Sequence, residues 1–193
     1  MSTPDMVERY IRMAGAAGTY IERVARAELS GRLASVLSEI SPNLPKTAAL
    51  GASGWPEEIR ESIEALLASL GFHVVNPEKG QDGYSWDRDR LAAASVGIVW
   101  CERYLAETGS LVLSSGPGKG GLATLLPEIS IVLSDAEGCL ENLTDYLGET
   151  GPMLPARITL VTGPSRTGDI EATMTKGVHG PGKVVHFILE EKA

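Results

Sequence analysis

Three glycines that follow an apolar segment carry the spacing of a dinucleotide-binding loop. Gly116, Gly118 and Gly121 match G-x-G-x-x-G, and Asp135 lies nineteen residues after Gly116. In a Rossmann domain such glycines open a long crossover helix whose N-terminus faces the pyrophosphate. Here the following segment, GLATLL, is stopped at Pro127 after barely two turns. The spacing is therefore present without its structural context, and we expect no NAD site.

The same loop suits a smaller anion. Ser115, Gly116, Gly118 and Lys119 lie within SSGPGKGG, where successive backbone N–H groups can form a concavity beside one positive side chain. Lactate, pyruvate, phosphate or the phosphates of coenzyme A would all suit such a site. The alternative is a tight loop whose glycines are needed only for positive φ.

A second polar segment, TGPSRTGDIE (162–171), follows another apolar strand. Gly163 ends the strand, and we predict a short helix near 167–169 that Ser165 or Thr167 caps. Arg166 could pair with an anion. Because ligands bind at strand ends in open α/β sheets, we expect the Gly116 loop and the Ser165 loop to converge on one site.

Three further side chains near this segment have two interpretations each. Asp169 and Glu171 could act as acid and base, or could merely favour the helix N-terminus, which is the preferred interpretation. His179, in GVHGP, is expected on a turn, either contacting a ligand or at the surface.

Composition excludes several classes of partner. The chain has 193 residues, 43% of them hydrophobic, and a formal net charge of −8 without a run of Lys or Arg. Nucleic acid and anionic membrane surfaces are therefore not expected as partners. The acidic N-terminus, MSTPDMVERY, is unlike a signal peptide, and no uncharged stretch is long enough for membrane insertion. We expect a cytoplasmic protein.

Cysteines and histidines are too scattered to hold a metal or a cluster. Cys101 and Cys139 fit no zinc or iron-sulfur spacing, and His73, His179 and His186 lie far apart. We therefore expect two buried thiols, no metal site and no cofactor bound by this chain alone.

The pattern of apolar segments predicts one α/β domain over 1–193. Residues 1–43 are predicted to form an N-terminal helical segment and 46–193 an α/β core. In the core, TAALGA, FHVV and VGIVW alternate with the helices PEEIRESIEALLASLG and DRDRLAAAS, which indicates a parallel sheet. The later strands LVLSS, ISIVL, ITLVTG and VVHFILE do not alternate regularly with helices, because the link between the first two is too short for an ordinary crossover helix.

Two blocks of the second half carry a family resemblance. AETGSLVLSSGPGKGGLATLLPEISIVL (106–133) and ITLVTGPSRTGDIEATMTKGVHGPGKVVHFILE (158–190) resemble the signature blocks of the LUD-domain family of lactate-utilisation protein C and YkgG-like proteins. The sequence departs from the family just upstream of the first block: VGIVWCERYLAETG stands where the family usually has a Thr-Gly-Ala-Asp-like segment that leads into the Glu-Thr-Gly element. The resemblance implies an α/β fold of the NagB/RpiA/CoA-transferase type, an open and mostly parallel sheet with helices on both faces and a smaller antiparallel-like addition, which agrees with the different pattern of the later strands.

For function, the resemblance implies a component of an L-lactate oxidation system (lactate to pyruvate) that works beside iron-sulfur oxidoreductase partners and binds a small anion. Two alternatives stay open. One is a stand-alone NagB/RpiA/CoA-transferase-like enzyme acting on a CoA thioester or a sugar phosphate. The other is a binding or regulatory module without catalysis.

The Glu-Thr-Gly element before the glycine loop distinguishes these alternatives. In CoA-transferase relatives of the fold a Glu at a sheet edge is the nucleophile, so Glu107 is a candidate catalytic residue, with Thr108 and Gly109 beside it in the ligand site. The alternative, which we prefer, is that the Glu107 carboxylate orders the glycine loop by accepting backbone N–H bonds.

Overall fold

A computed structural model describes residues 2–41, 43–51, 54–80, 83–117, 119, 121–168, 174–176 and 180–191. Its helices are α1 (Thr3–Ala16), α2 (Leu29–Ile40), α3 (Glu57–Ser69), α4 (Arg88–Ala92), α5 (Gly121–Leu125) and α6 (Leu143–Thr150). Its strands are β1 (Tyr20–Ala25), β2 (Thr47–Leu50), β3 (His73–Val75), β4 (Glu78–Gly80), β5 (Gly83–Ser85), β6 (Val96–Trp100), β7 (Arg103–Leu105), β8 (Ser110–Ser114), β9 (Ile129–Asp135), β10 (Cys139–Leu140), β11 (Ile158–Val161), β12 (Arg166–Gly168), β13 (Met174–Lys176) and β14 (Lys183–Glu190).

A six-stranded sheet forms the centre of the molecule. Its strand order is β1-β14-β9-β6-β2-β3, and every neighbouring pair is parallel. The inner strands β6, β9 and β14 are buried along nearly their whole length. Such continuous apolar strands need cover on both faces of the sheet, so the predicted α/β fold with an open parallel sheet is confirmed.

Helices cover both faces. Helices α2 and α3 pack on one face through Leu33, Leu37, Ile63 and Leu67. Helices α1, α4 and α5 pack on the other. Helix α5 rests directly on β6, because a Cβ on Gly97 would lie 1.6 Å from the Ala123 carbonyl oxygen.

A four-stranded sheet, ordered β10-β7-β8-β11, lies beside the α1 face. Its pairs β7–β8 and β8–β11 are antiparallel, whereas β10–β7 is parallel. Helix α6 covers its outer side with Tyr146 packed against Leu105 and Val112. This sheet explains why strands and helices do not alternate regularly in the second half of the chain. There β8 and β11 belong to the four-stranded sheet, whereas β9 and β14 belong to the six-stranded sheet.

Strands occur within two segments predicted to be helical, although the first of them also contains α1 and α2. The expected helical segment 1–43 contains β1, which pairs with β14 along its whole length. Gly18, at φ +97°, turns the chain after α1, and the β-branched and aromatic residues that follow suit a strand. The predicted helix near 167–169 is wrong, because Arg166–Gly168 form β12 in an antiparallel pair with β13.

Candidate functional site

The order in which the chain adds strands to the large sheet changes direction at β2. From β2 the chain adds β3 on one side and later β6 on the other. In open α/β sheets ligands bind outside the carboxyl ends of the strands at such a switch point. Here those ends carry Gly51 and the Trp100–Glu102 segment, and both line a cavity.

Three adjoining cavities lie at this position, and all three are lined by Ser114 and Lys119. We call them together the cleft. The inner pocket, about 20 Å³, lies against Gly51, Trp55, Trp100 and Glu102. The arginine pocket, about 170 Å³, is lined by Tyr84, Trp86, Leu113, Leu122, Arg157 and Thr159. The outer groove, about 420 Å³, reaches Arg103, Tyr146, Glu149 and Met153.

Lys119 is held at the junction of the three cavities. Its Nζ donates hydrogen bonds to Glu102 Oε2 (2.9 Å) and to Ser114 Oγ (3.0 Å). Its aliphatic chain folds back over Gly116, where a Cβ would lie 3.2 Å from Lys119 Cδ. Gly116 has no positive φ, so in this loop the missing side chain matters because it makes room for Lys119.

The arginine pocket is built by the antiparallel pairing of β8 with β11. Ser114 faces Ile158 across the pair, which brings Ser115 beside Arg157. The Ser115 N–H donates to the Arg157 carbonyl oxygen (2.8 Å), and the Ser115 Oγ accepts from the Arg157 N–H (2.9 Å). These bonds fix the backbone of Arg157 while its guanidinium lies at the pocket wall.

The charges around the cleft are mostly paired. Lys119 pairs with Glu102, and Arg103 in the outer groove pairs with Glu149 at 2.7 Å. Arg157 has no carboxylate within 4 Å in the described part of the chain. The arginine pocket therefore holds a cation that is available to an anion.

The inner pocket has an unsatisfied donor. The Trp55 indole N–H is buried and has no acceptor among the described residues. The ring lies 5.9 Å from that of Trp100, centroid to centroid. A buried donor without a partner costs free energy, so an acceptor from outside the chain would stabilise this part of the cleft.

The other predicted site residues lie elsewhere. Because β8 and β11 are antiparallel, the loop after Ser114 and the loop after Val161 leave from opposite ends of the pair, about 15 Å apart for five residues of strand. The expected convergence of the Gly116 and Ser165 loops on one site is therefore wrong. The residues at the far end are Glu107, Thr108, Gly109, Gly163, Ser165, Arg166 and the backbone of Thr167.

Gly109 and Gly163 pack against the C-terminal end of α1. Gly109 has φ +69°, and a Cβ there would lie 2.3 Å from the Ala14 nitrogen. Gly163 has φ +78°, and its Cβ would lie 2.4 Å from the Ala17 carbonyl oxygen. Arg166 donates to that same Ala17 oxygen from Nη2 at 3.1 Å. We call Gly109, Gly163 and Arg166 with the end of α1 the α1 junction.

Hydroxyl groups connect the two signature blocks at this junction. Ser110 Oγ lies 2.7 Å from Thr108 Oγ1 and 2.6 Å from Thr162 Oγ1. Ser165 is fixed through its backbone, since its N–H donates to the Pro181 carbonyl oxygen at 2.9 Å. These contacts are within the protein, and none of these residues lines the cleft.

Glu107 is exposed and lies at the opposite end of β8 from the glycine loop. Its N–H donates to the Glu141 carbonyl oxygen, whereas its carboxylate has no hydrogen bond to any described residue. The preferred hypothesis, that this carboxylate orders the glycine loop, is therefore wrong. A nucleophilic role at the cleft is also excluded by position.

Four predicted site residues, Gly118, Asp169, Glu171 and His179, lie outside the described residues. Of the others, Ser115, Gly116 and Lys119 line the cleft. Sequence reasoning missed Glu102 and Arg157. Glu102 carried a recognisable signal, as the first acidic residue after a buried strand. Arg157 carried none, because only the pairing of β8 with β11 brings it to the loop.

Within the described ranges, no group of three or more His, Cys, Asp or Glu side chains could hold a metal ion. Cys101 and Cys139 are buried free thiols. Among the described helices, none combines the length and the apolar character that crossing a bilayer requires.

Comparisons with known proteins agree in one family. The family description "LUD domain" matches residues 7–189. The Escherichia coli (strain K12) protein named "Uncharacterized protein YkgG" is 30% identical over 171 residues, which cover 86% of this chain and 69% of that protein. "Lactate utilization protein C" of Geobacillus kaustophilus (strain HTA426) is 29% identical over 190 residues, covering 90% and 73%. The protein of that name in Geobacillus sp. (strain WCH70) is 32% identical over 129 residues, covering 60% and 54%.

A solved structure supports the fold. The crystal structure of a DUF162 family protein from Deinococcus radiodurans superposes with a TM-score of 0.66 at 17% identity, covering 98% of this chain and 99% of that chain. At this identity the likeness concerns the fold alone. With the match to residues 7–189, the chain belongs to the LUD-domain family.

Proposed function

We propose that this protein is a component of an L-lactate oxidation system, in which it binds a small organic anion in the cleft and works beside iron-sulfur oxidoreductase partners. Relatives over most of the chain are named lactate utilization protein C. The two cysteines are buried free thiols that are far apart in sequence, which fits the part of the proposal that assigns the iron-sulfur clusters to partner proteins.

The observation that carries the anion site is the group around the glycine loop. Lys119, Ser114 and Ser115 line the arginine pocket at the carboxyl ends of the strands, and Arg157 lines the same pocket without a carboxylate partner among the described residues. Hydroxyl and cationic donors that converge on one small pocket suit a carboxylate.

Growth and binding test this proposal together. Deleting the coding sequence in the source organism should abolish growth on L-lactate as sole carbon source and leave growth on glucose unchanged. A wild-type copy should restore growth, and Lys119→Gln should restore it poorly. As a control, Lys79→Gln changes an exposed lysine of β4 that lines none of the three cavities and should restore growth fully. Normal growth of the deletion strain on L-lactate would contradict the proposal.

A further inference from the structure

We infer that the cleft selects a small monocarboxylate over dianions, and that Arg157 binds its carboxylate. This inference rests on the proposed anion site and adds the class of ligand and the residue that recognises it. The expected ligand is a 2-hydroxy or 2-oxo monocarboxylate, and we expect the cleft to bind phosphate, sugar phosphates and dicarboxylates more weakly.

The first step is the charge balance. Among the residues that the structure describes, the charged side chains at the arginine pocket and its border with the inner pocket are Arg157, Lys119 and Glu102. Glu102 neutralises Lys119 in a 2.9 Å ion pair, which leaves the one positive charge of Arg157. A single negative charge balances this site. A second negative charge would face the Glu102 carboxylate or have to break the Lys119–Glu102 pair.

The second step is the geometry of Arg157. Two hydrogen bonds to Ser115 hold its backbone. Its Nη2 lies where a Cβ on Gly121 would be only 3.3 Å away, so this glycine leaves room for the guanidinium beside the start of α5. A planar guanidinium binds a carboxylate through two parallel hydrogen bonds, an arrangement that the point charge of a lysine does not reproduce.

The third step is the rest of the pocket. Leu113, Leu122 and Trp86 provide apolar wall, and the side chains of Ser114 and Thr159 provide hydroxyl groups. At about 170 Å³ the pocket is well below the volume of sites for drug-sized ligands. The pocket therefore suits a small ligand with an apolar end and one polar substituent beside the carboxylate.

Titration calorimetry on the purified chain tests this inference with five probes: L-lactate, pyruvate, propionate, malonate and inorganic phosphate. We expect L-lactate or pyruvate to bind, and malonate and phosphate to bind at least about tenfold more weakly. Arg157→Gln should weaken binding of the monocarboxylate by about tenfold or more, with Arg157→Lys recovering only part of the loss. Arg32→Gln, which changes an exposed arginine paired with Glu22, should leave it unchanged.

Glu102→Gln adds a readout that a merely structural role would not change. Removing this carboxylate leaves two positive charges, so the preference should shift towards malonate and phosphate. Melting temperatures of all variants establish that each is folded.

Failure of the inference differs from failure of the proposed site. If malonate or phosphate binds as tightly as pyruvate, or if Arg157→Gln binds like the wild type while Lys119→Gln does not, the anion site stands and this inference is wrong. An unchanged preference in Glu102→Gln also overturns it. If none of the five anions binds, the proposed anion site and the inference both fail.

Discussion

The hydroxyl of Tyr10 lies 2.7 Å from Nδ1 of His186, and this contact joins α1 to the middle of the large sheet. Ser134 Oγ lies 2.8 Å from the other ring nitrogen. All three side chains are fully buried, and Tyr104 stacks edge-on against both rings. Because the group is buried away from solvent, its hydrogen bonds stabilise the packing of α1 on the sheet.

The first prediction concerns pH. Burial lowers the pKa of His186 to about 3, whereas in an unfolded chain it is about 6.5. Below about pH 6.5 this histidine is protonated in the unfolded chain but stays neutral in the folded chain. As the pH is lowered from this value, the free energy of unfolding therefore decreases by up to about 1.4 kcal/mol per pH unit. Urea unfolding between about pH 7 and pH 5 should show this slope, and His186→Gln should reduce it.

The exposed His73 provides the control for this measurement. His73→Gln should keep the wild-type slope. Equal slopes in the wild type and His186→Gln would show that His186 takes up its proton without unfolding.

The second prediction tests the hydrogen bond itself. Tyr10→Phe keeps the ring and leaves His186 Nδ1 buried without its partner, so we expect a loss of about 1 to 3 kcal/mol in the free energy of unfolding. Tyr20→Phe removes an exposed hydroxyl bonded to Glu22 and should change it by less than about 0.5 kcal/mol. Equal losses in the two variants would contradict the role of the buried bond.

The third prediction concerns the α1 junction. Gly163→Ala places a Cβ 2.4 Å from the Ala17 carbonyl oxygen at a positive φ, and the free energy of unfolding should fall by more than about 2 kcal/mol. Gly15→Ala, in α1 with nothing within 4 Å of the new Cβ, should be neutral or stabilising by up to about 1 kcal/mol. Thermal unfolding that ranks the two variants the other way would refute the close approach.

The fourth prediction concerns Glu107. With an exposed carboxylate that bonds no described residue, Glu107→Gln should change the free energy of unfolding by less than about 0.5 kcal/mol. Incubation with acyl-CoA compounds and borohydride should yield no modified Glu107 peptide in mass spectra. Glu22→Gln, which loses the Arg32 pair at 2.5 Å, should be the more destabilising of the two. A trapped adduct would restore the nucleophile hypothesis.

The fifth prediction concerns the thiols. Burial raises the pKa of Cys101 and of Cys139 to about 12, so neither is ionised at neutral pH. A chromogenic disulfide reagent should not react with the native protein and should titrate two thiols in concentrated urea. Rapid reaction in the native state would show that a cysteine is accessible.

Strands with continuous apolar sequence could be predicted from the sequence, as could the amphipathic helix α3. The strands β6, β9 and β14 consist mostly of apolar residues, and this composition indicates burial on both faces. In β1 only Val24 is fully buried, and its apolar residues fit a helix as well as a strand. This segment forms a strand because it pairs with β14, about 160 residues away. A local sequence pattern carries no information about such a distant partner.

The candidate site was predictable in part for a related reason. The glycine loop could be predicted because its residue types belong together in the sequence. Its partners could not, because Arg157 reaches it only through the antiparallel pair of β8 with β11, and the local sequence pattern does not show which strands pair. The expected convergence of the Gly116 and Ser165 loops was wrong for the same reason, because it took the ends of β8 and β11 to lie at one edge of the sheet.

The position of β14 between β1 and β9 also has a consequence for folding during synthesis. Strand β1 precedes β14 by about 160 residues, and β14 is its partner in the described part of the large sheet. Until β14 has left the ribosome, β1 and α1 have no sheet edge to join, and β9 exposes the side that β14 will cover. Long-range parallel pairing of this kind is slow to form, so the side of β9 that β14 covers stays exposed to aggregation until β14 is inserted.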